Sequence, residues 1–205
     1  MYRKSRHEKY IIKRYFFLFV FCMELLAIVV IQHMISFKAG QNDKNNEKQN
    51  LINQSVSSDM DCFPIPISYR NRIYYEDSYG AGRIQGEHEG CDIMDRQDTP
   101  GEIPVVSCCS GTVTNIGWLF LGGYRIGITG KNGTYFYYAH LSSYANGLEL
   151  GDPVWAGQFI GFMGNSGEGE EGTTGKFPTH LHFGIYSSHQ EMKAVNPYFY
   201  LKNKE

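Results

Sequence analysis

Apolar and polar positions are distributed in three unlike ways along this chain. Residues 15–37 (YFFLFVFCMELLAIVVIQHMISF) form an almost unbroken apolar run with no Lys or Arg. At 1.5 Å per residue such a helix reaches across a hydrocarbon core of ~30 Å. The run is longer than the ~7–15 apolar residues of a cleavable leader, and it ends at Ile35-Ser36-Phe37-Lys38 without a small-x-small cleavage site. The pattern predicts one uncleaved transmembrane signal anchor over 15–37. Glu24 near mid-span reads as a carboxyl that protonates in place, the alternative being association with a second helix.

Residues 38–60 (KAGQNDKNNEKQNLINQSVSSDM) are the reverse: five Asn, three Gln and no aromatic residue. So little apolar surface does not offset the entropy of ordering, and a flexible, disordered linker is expected. From Asp61 the pattern changes again. Twenty-two of the 23 glycines lie beyond it, separating short β-branched and aromatic runs. Gly122–Thr129 and Thr134–His140 flank Gly130-Lys131-Asn132-Gly133, whose Asn-Gly signals a hairpin. Gly111–Ile116, Pro153–Phe162 and Leu181–Tyr186 read as further strands. No 15-residue helical periodicity follows residue 61. A mostly β domain is predicted over 61–205, an antiparallel sheet or sandwich without solenoid repeats.

A chain of 205 residues fits one domain with appendages. Its net charge of -2 hides a gradient. Residues 1–14 carry six Lys/Arg against one Glu, residues 38–60 balance, and residues 61–205 carry ten Lys/Arg against sixteen Asp/Glu. A basic tip before an apolar run predicts a single-pass protein of the cell membrane, with the N-terminus cytoplasmic and the domain outside. Nothing in the acidic body suggests a nucleic-acid partner. Four cysteines, Cys62, Cys91, Cys108 and Cys109, then lie where disulfides persist. Their pairing is open, although adjacent Cys108 and Cys109 are poor partners for each other. They lack the CxxC spacing of a metal site.

Candidate chemistry gathers on four of the seven histidines. In Thr179–Tyr186 (THLHFGIY), strand alternation puts His180 and His182 on one face and Leu181, Phe183 and Ile185 on the other. Glu87–Ile93 (EHEGCDI) supplies His88 and Asp92, an imidazole and a carboxylate suited to Zn²⁺, which in catalytic sites takes three protein ligands. One histidine of the His-x-His pair completes that set. Tyr137–Leu141 (YYAHL) adds His140. The two histidines left over suit amide hydrolysis, one taking a proton and one steadying an oxyanion. Gly167–Lys176 (GEGEEGTTGK) is not a phosphate loop, because Glu170 and Phe177 stand where Gly and Ser/Thr are required; it reads as a mobile wall of a groove.

His88-x-x-x-Asp92, Tyr138-Ala139-His140-Leu141 and His180-Leu181-His182-Phe183, in this order, resemble the lysostaphin/LytM family of zinc metallopeptidases that cleave peptidoglycan. The likeness runs over about residues 79–200, taking in Ser110-Gly111-Thr112-Val113, Gly151-Asp152-Pro153-Val154 and Gly164-Asn165-Ser166-Gly167. It implies the family's β fold (the duplicated hybrid motif) and one Zn²⁺ per chain on His88, Asp92 and His182. It also implies His180 as general base, His140 as oxyanion stabiliser, and a cell-wall peptide, in cross-bridge or stem, as substrate. Lys176-Phe177-Pro178-Thr179 is longer than the family's usual lead into His-x-His, and Cys91 beside Asp92 is unusual. The alternative is a scaffold or regulator on the same fold, such as a sporulation-channel component or an activator of other wall hydrolases; a plain wall-binding module has no use for four convergent histidines. An acidic domain argues against electrostatic capture by anionic wall polymers, and Glu87, Glu89, Asp92 and Asp95 are expected to crowd around His88.

Overall fold

Ile52, Val56 and Met60, spaced four residues apart, are all buried at the foot of the β domain. They belong to a segment expected to be a disordered tether. The computed structural model describes the backbone of residues 6–83 and 86–205, and side chains from Arg14 onward except Phe17, Leu18, Val20, Phe21, Cys22, Glu24, Ile84 and Gln85. The chain divides into two units, 1–50 and 51–205.

In the first unit the backbone is helical from Arg6, within α1 (Arg6–Asp59). Described apolar side chains such as Tyr15, Phe19, Leu26, Val29 and Ile35 are exposed. Among the described residues no helix is long and apolar enough to cross a membrane. The span expected over 15–37 is therefore not borne out there, and six of its side chains, Glu24 among them, lie outside the described residues. Of the basic tip 1–14, residues 1–5 and the side chains up to Lys13 also lie outside them.

The flexible linker predicted for 38–60 is corrected: Lys38 to Asp59 is helix. Its polar composition masked a 3.6-residue periodicity, and that apolar stripe supplies the burial that orders its end. Asp59, also buried, accepts hydrogen bonds from the Asn132 amide (2.9 Å), Asn132 Nδ2 (2.9 Å) and the Thr134 amide (3.1 Å). The domain thus begins near Leu51 rather than Asp61.

A 3₁₀ turn (Ile67–Arg72) leads into β1 (Ile73–Tyr74), a small β2 (Gly82–Arg83)/β3 (Gly86–Glu87) pair, β4 (Cys91–Asp95) and β5 (Pro104–Val106). Then come β6 (Gly111–Leu119), β7 (Gly123–Gly130), β8 (Tyr135–Tyr144), β9 (Pro153–Val154), β10 (Phe159–Met163), β11 (His180–Tyr186), β12 (Ala194–Val195) and α2 (Tyr198–Lys202). The main sheet is antiparallel, ordered β1-β4-β11-β8-β7-β6-β9, with β10 pairing β5 and β8 and β12 pairing β11. The expected hairpin closes between β7 and β8, where the Gly133 amide donates to the Gly130 carbonyl (3.0 Å) at φ +88°. The single strand expected over Pro153–Phe162 is two, because Trp155–Gln158 folds into a turn with Gly157 at φ +81°. The short helices escape a search for 15-residue periodicity.

One face of the sheet is core, carrying Ile93, Ile126, Ile128, Phe136, Tyr138, Leu181, Phe183 and Ile185. The four cysteines of the domain are free. Cys91 Sγ donates to the Glu76 carbonyl (3.3 Å), and burial pushes its thiol up to about 12. Tyr138 donates its hydroxyl to Cys108 Sγ (3.1 Å).

Candidate active site

The opposite face carries the chemistry, and strand register assembles it. On β4 and β11, Asp92 pairs directly with His182 and Met94 with His180. Alternation then sends Asp92, His180 and His182 to one side while Cys91, Ile93, Leu181 and Phe183 enter the core, as the sequence pattern predicts. On β8 the pairing with β7 shifts register between Tyr124 and Ile126, and His140 sits in that bulge at φ +62°. Bulges re-aim side chains, and this one turns His140 towards the same cleft.

Three ligand atoms converge. His88 Nε2 lies 2.9 Å from His182 Nδ1, and both are 3.0 Å from Asp92 Oδ1. His88 donates its Nδ1–H to the Ser78 carbonyl (2.8 Å), which leaves a lone pair on Nε2. Gly90 makes room for the His182 ring, since a Cβ there would lie 2.5 Å from Cε1. Burial opposes ionisation of Asp92, but the adjacent His182 and His88 rings outweigh it and hold the carboxyl well below the usual range. Arg83 donates to its other oxygen, Oδ2. A triangle of electron-rich atoms about 3 Å on edge is a shape a cation resolves: four N/O ligands at ~2.0–2.1 Å from tetrahedral zinc lie roughly 3.3 Å apart. The three residues therefore fit a zinc ion.

His140 and His180 stand beside this triangle, ring centroids 4.7 Å apart. Both fix their tautomer as His88 does: His140 donates Nδ1–H to the Ser166 carbonyl (2.8 Å) and His180 to the Pro178 carbonyl (2.8 Å). Each Nε2 is thereby a proton acceptor. Among the described residues the buried Nε2 of His180 has no hydrogen-bond partner, and it lies 3.8 Å from Asp92 Oδ1. Burial lowers both imidazoles; for His140, with His180 and His182 nearby, the value falls to about 3. Ser166 is itself pinned, its hydroxyl donating to the Leu141 carbonyl (2.6 Å) and accepting from the Tyr124 amide (3.0 Å). The Gly164–Gly167 loop is therefore the prop of His140. Phe177, from the long lead into His-x-His, packs its ring 4.6 Å from His140 and 5.1 Å from His180.

The five predicted residues thus share one site, in or beside a cleft of about 480 Å³ lined also by Arg83, Glu87, Glu89, Tyr137, Glu168 and Tyr186. Glu168 brings the acidic glycine loop to its wall. Asp95 is a correction: it faces away, bonded to Arg72 (3.0 Å) and to the Thr99 (2.9 Å) and Gln97 (3.0 Å) amides, because β4 ends there in a turn. Sequence reading missed Ser78 and named Ser166 only as part of the resembling Gly164–Gly167 loop, without a role; both act through backbone carbonyls that no side-chain pattern announces. It also missed Arg83, whose signal was only a lone cation in an acidic stretch.

Fold and donor set define a candidate single-metal hydrolytic centre. The chain belongs to Peptidase family M23, whose sequence profile matches residues 86–197. It is similar to an L-Ala–D-Glu endopeptidase of Bacillus subtilis (strain 168), 43% identical over 146 residues, 69% of this chain and 43% of that protein. Lysostaphin of Staphylococcus simulans is 32% identical over 137 residues, 63% of this chain and 25% of that protein. The chain thus spans less than half the length of these two relatives. Among solved structures, a candidate glycyl-glycine endopeptidase LytM from Ruminococcus gnavus superposes with TM-score 0.65 at 52% identity, over 72% of this chain and 62% of that one.

Proposed function

We propose that the chain is a zinc endopeptidase that hydrolyses a peptide bond of bacterial peptidoglycan. The observation that carries this reading is the convergence of His88 Nε2, His182 Nδ1 and Asp92 Oδ1 beside the buried, unpartnered Nε2 of His180. His88, Asp92 and His182 would hold the metal. When bound, zinc supplies Lewis-acid charge and a water of lowered pKa, ~7.

His180 Nε2 accepts the proton of the attacking water and returns it to the leaving amine. His140 Nε2, a lone-pair acceptor on a ring that burial holds neutral, accepts a hydrogen bond from the attacking water and helps aim it; the oxyanion role implied by the resemblance needs a second ring proton, which burial disfavours. Ser166 and Pro178 keep both rings aimed, and Phe177 screens them from bulk water.

The 43% identity to the L-Ala–D-Glu endopeptidase supports a stem-peptide bond and the 52% identity to the candidate glycyl-glycine endopeptidase supports a glycine bridge; the new amino termini released from sacculi identify which bond is cut. The scaffold reading has no observation of its own, since a scaffold needs none of these five side chains. Anchoring at the cell membrane, N-terminus inside and domain facing the wall, rests on the basic tip and the apolar run 15–37. A C-terminal reporter fusion active only in the cytoplasm overturns it. The activity is tested by loading the full chain with zinc and following free amines released from purified sacculi. Release that stops on chelation and returns with zinc supports the proposal; stoichiometric zinc without release from several wall types contradicts it.

A further inference from the structure

Beside the metal cleft, the same face of the sheet holds a second cleft of about 450 Å³, lined by Asn115, Arg125, Tyr135, Tyr137, Tyr186 and His189 among others. Tyr137 and Tyr186 line both clefts, so the two are neighbouring stretches of one surface. Glycines seat two of its rings: Tyr135 lies over Gly127, and a Cβ on Gly184 would meet Tyr186 at 2.9 Å. Asn115 Nδ2 donates to the Tyr135 hydroxyl (3.2 Å) and lies 2.7 Å from His189 Nε2, while the Tyr135 ring stands 5.9 Å from Tyr186 and 5.2 Å from His189. The wall is tied together by its own polar groups.

Arg125 is the exception. Its Nη1 is buried without a hydrogen-bond partner, and among the described residues Arg125 forms no salt bridge. A guanidinium is always charged and carries five donors; Arg125 is half-buried, and leaving its buried Nη1 without a partner costs free energy. A ligand that brings the anion removes that cost. Of the anions a neighbouring peptide-cleaving centre meets, the carboxylate is the one its substrate carries, and a planar fork matches it with paired hydrogen bonds.

We propose that Arg125 is the anchor of a subsite for a free carboxylate on the peptide substrate, next to the bond being cut. This rests on the endopeptidase reading and narrows it: the substrate is an acidic peptide, and amidation of that carboxyl is read as a loss. The phenols of Tyr135 and Tyr137 are the flanking donors.

The test uses the full chain and pairs of synthetic peptides that differ only in a carboxylate or carboxamide on one residue beside the scissile bond, placed before it in one pair and after it in the other. For the zinc-loaded wild type, the carboxylate peptide of one pair is expected to show kcat/KM about 10- to 100-fold above the amide, the range of a charged hydrogen-bonded contact. Most of the difference should sit in KM. Arg125→Gln brings the ratio to about one, and Arg125→Lys restores part of it. Calorimetric titration of the metal-free chain supplies a readout without turnover: the carboxylate peptide binds more tightly than the amide, and Arg125→Gln removes that preference. Equal treatment of the two peptides in both pairs by the wild type, or a ratio unchanged in Arg125→Gln, overturns the subsite while leaving the activity standing. Absence of cleavage together with a binding preference that depends on Arg125 supports the subsite and overturns the activity.

Discussion

His182 Nδ1 and Asp92 Oδ1 lie 3.0 Å apart because their residues are register partners across β4 and β11. Two rigid strands, rather than a loop, set that separation. A one-residue slip of β11 would turn His182 into the core and away from Asp92. Asp92→Ala removes one corner of the donor triangle and the partner of both imidazoles. Zinc affinity is expected to fall by at least ~100-fold, read by competition with a chromophoric chelator. Unchanged metal content in Asp92→Ala or His182→Ala would show the ligand assignment to be wrong.

Arg83 touches only the outer oxygen of that carboxylate. Arg83→Gln should therefore weaken zinc roughly 10- to 100-fold without abolishing it, the range seen when the partner of a ligand is lost. An affinity equal to wild type would mean that this contact does not orient Asp92.

The two catalytic histidines set the acid side of the activity profile. Burial lowers both, and a nearby cation disfavours their protonation further. Since His180 works as a base only when neutral, the acidic limb of kcat/KM is expected below the free-histidine value of ~6.5. A limb at or above that value, measured with a soluble peptide, contradicts the role given to His180.

Much of the site was legible in the sequence. His180 and His182 share a face by alternation, and the strands that carry them and Asp92 have clean apolar sides. What was not legible depends on backbone. His140 reaches the cleft through a bulge at φ +62°, and three histidines are aimed by the carbonyls of Ser78, Ser166 and Pro178, which any residue type supplies. The linker was misread for a different reason: Ile52, Val56 and Met60 are too sparse to register in a composition of Asn and Gln, yet they seal the core.

Asp59 tests that seal. It satisfies two backbone amides of the Asn132 hairpin, and Asp59→Ala would leave the buried Thr134 amide without a partner. A loss of about 2–4 kcal/mol in denaturant unfolding is expected. A loss below about 0.5 kcal/mol would indicate that the helix end is dispensable to the domain.

Asp95 links the fold to pH. Its burial opposes ionisation, but the Thr99 and Gln97 amides and Arg72 lower its pKa overall. A depressed carboxyl stabilises the fold above its unfolded value of ~3.9, and the contribution is lost as pH falls through the lower folded value. Asp95→Asn should therefore cost about 1–3 kcal/mol at neutral pH and progressively less below pH ~4. An equal cost at both pH values would assign the effect to packing.

The most direct measurement is amine release from sacculi by zinc-loaded wild type and His180→Ala, with bound zinc quantified in the same samples. The arrangement predicts one zinc per chain in both and a rate at least ~100-fold lower in the variant. Equal rates, or no release by wild type with its zinc in place, would contradict catalysis by this centre.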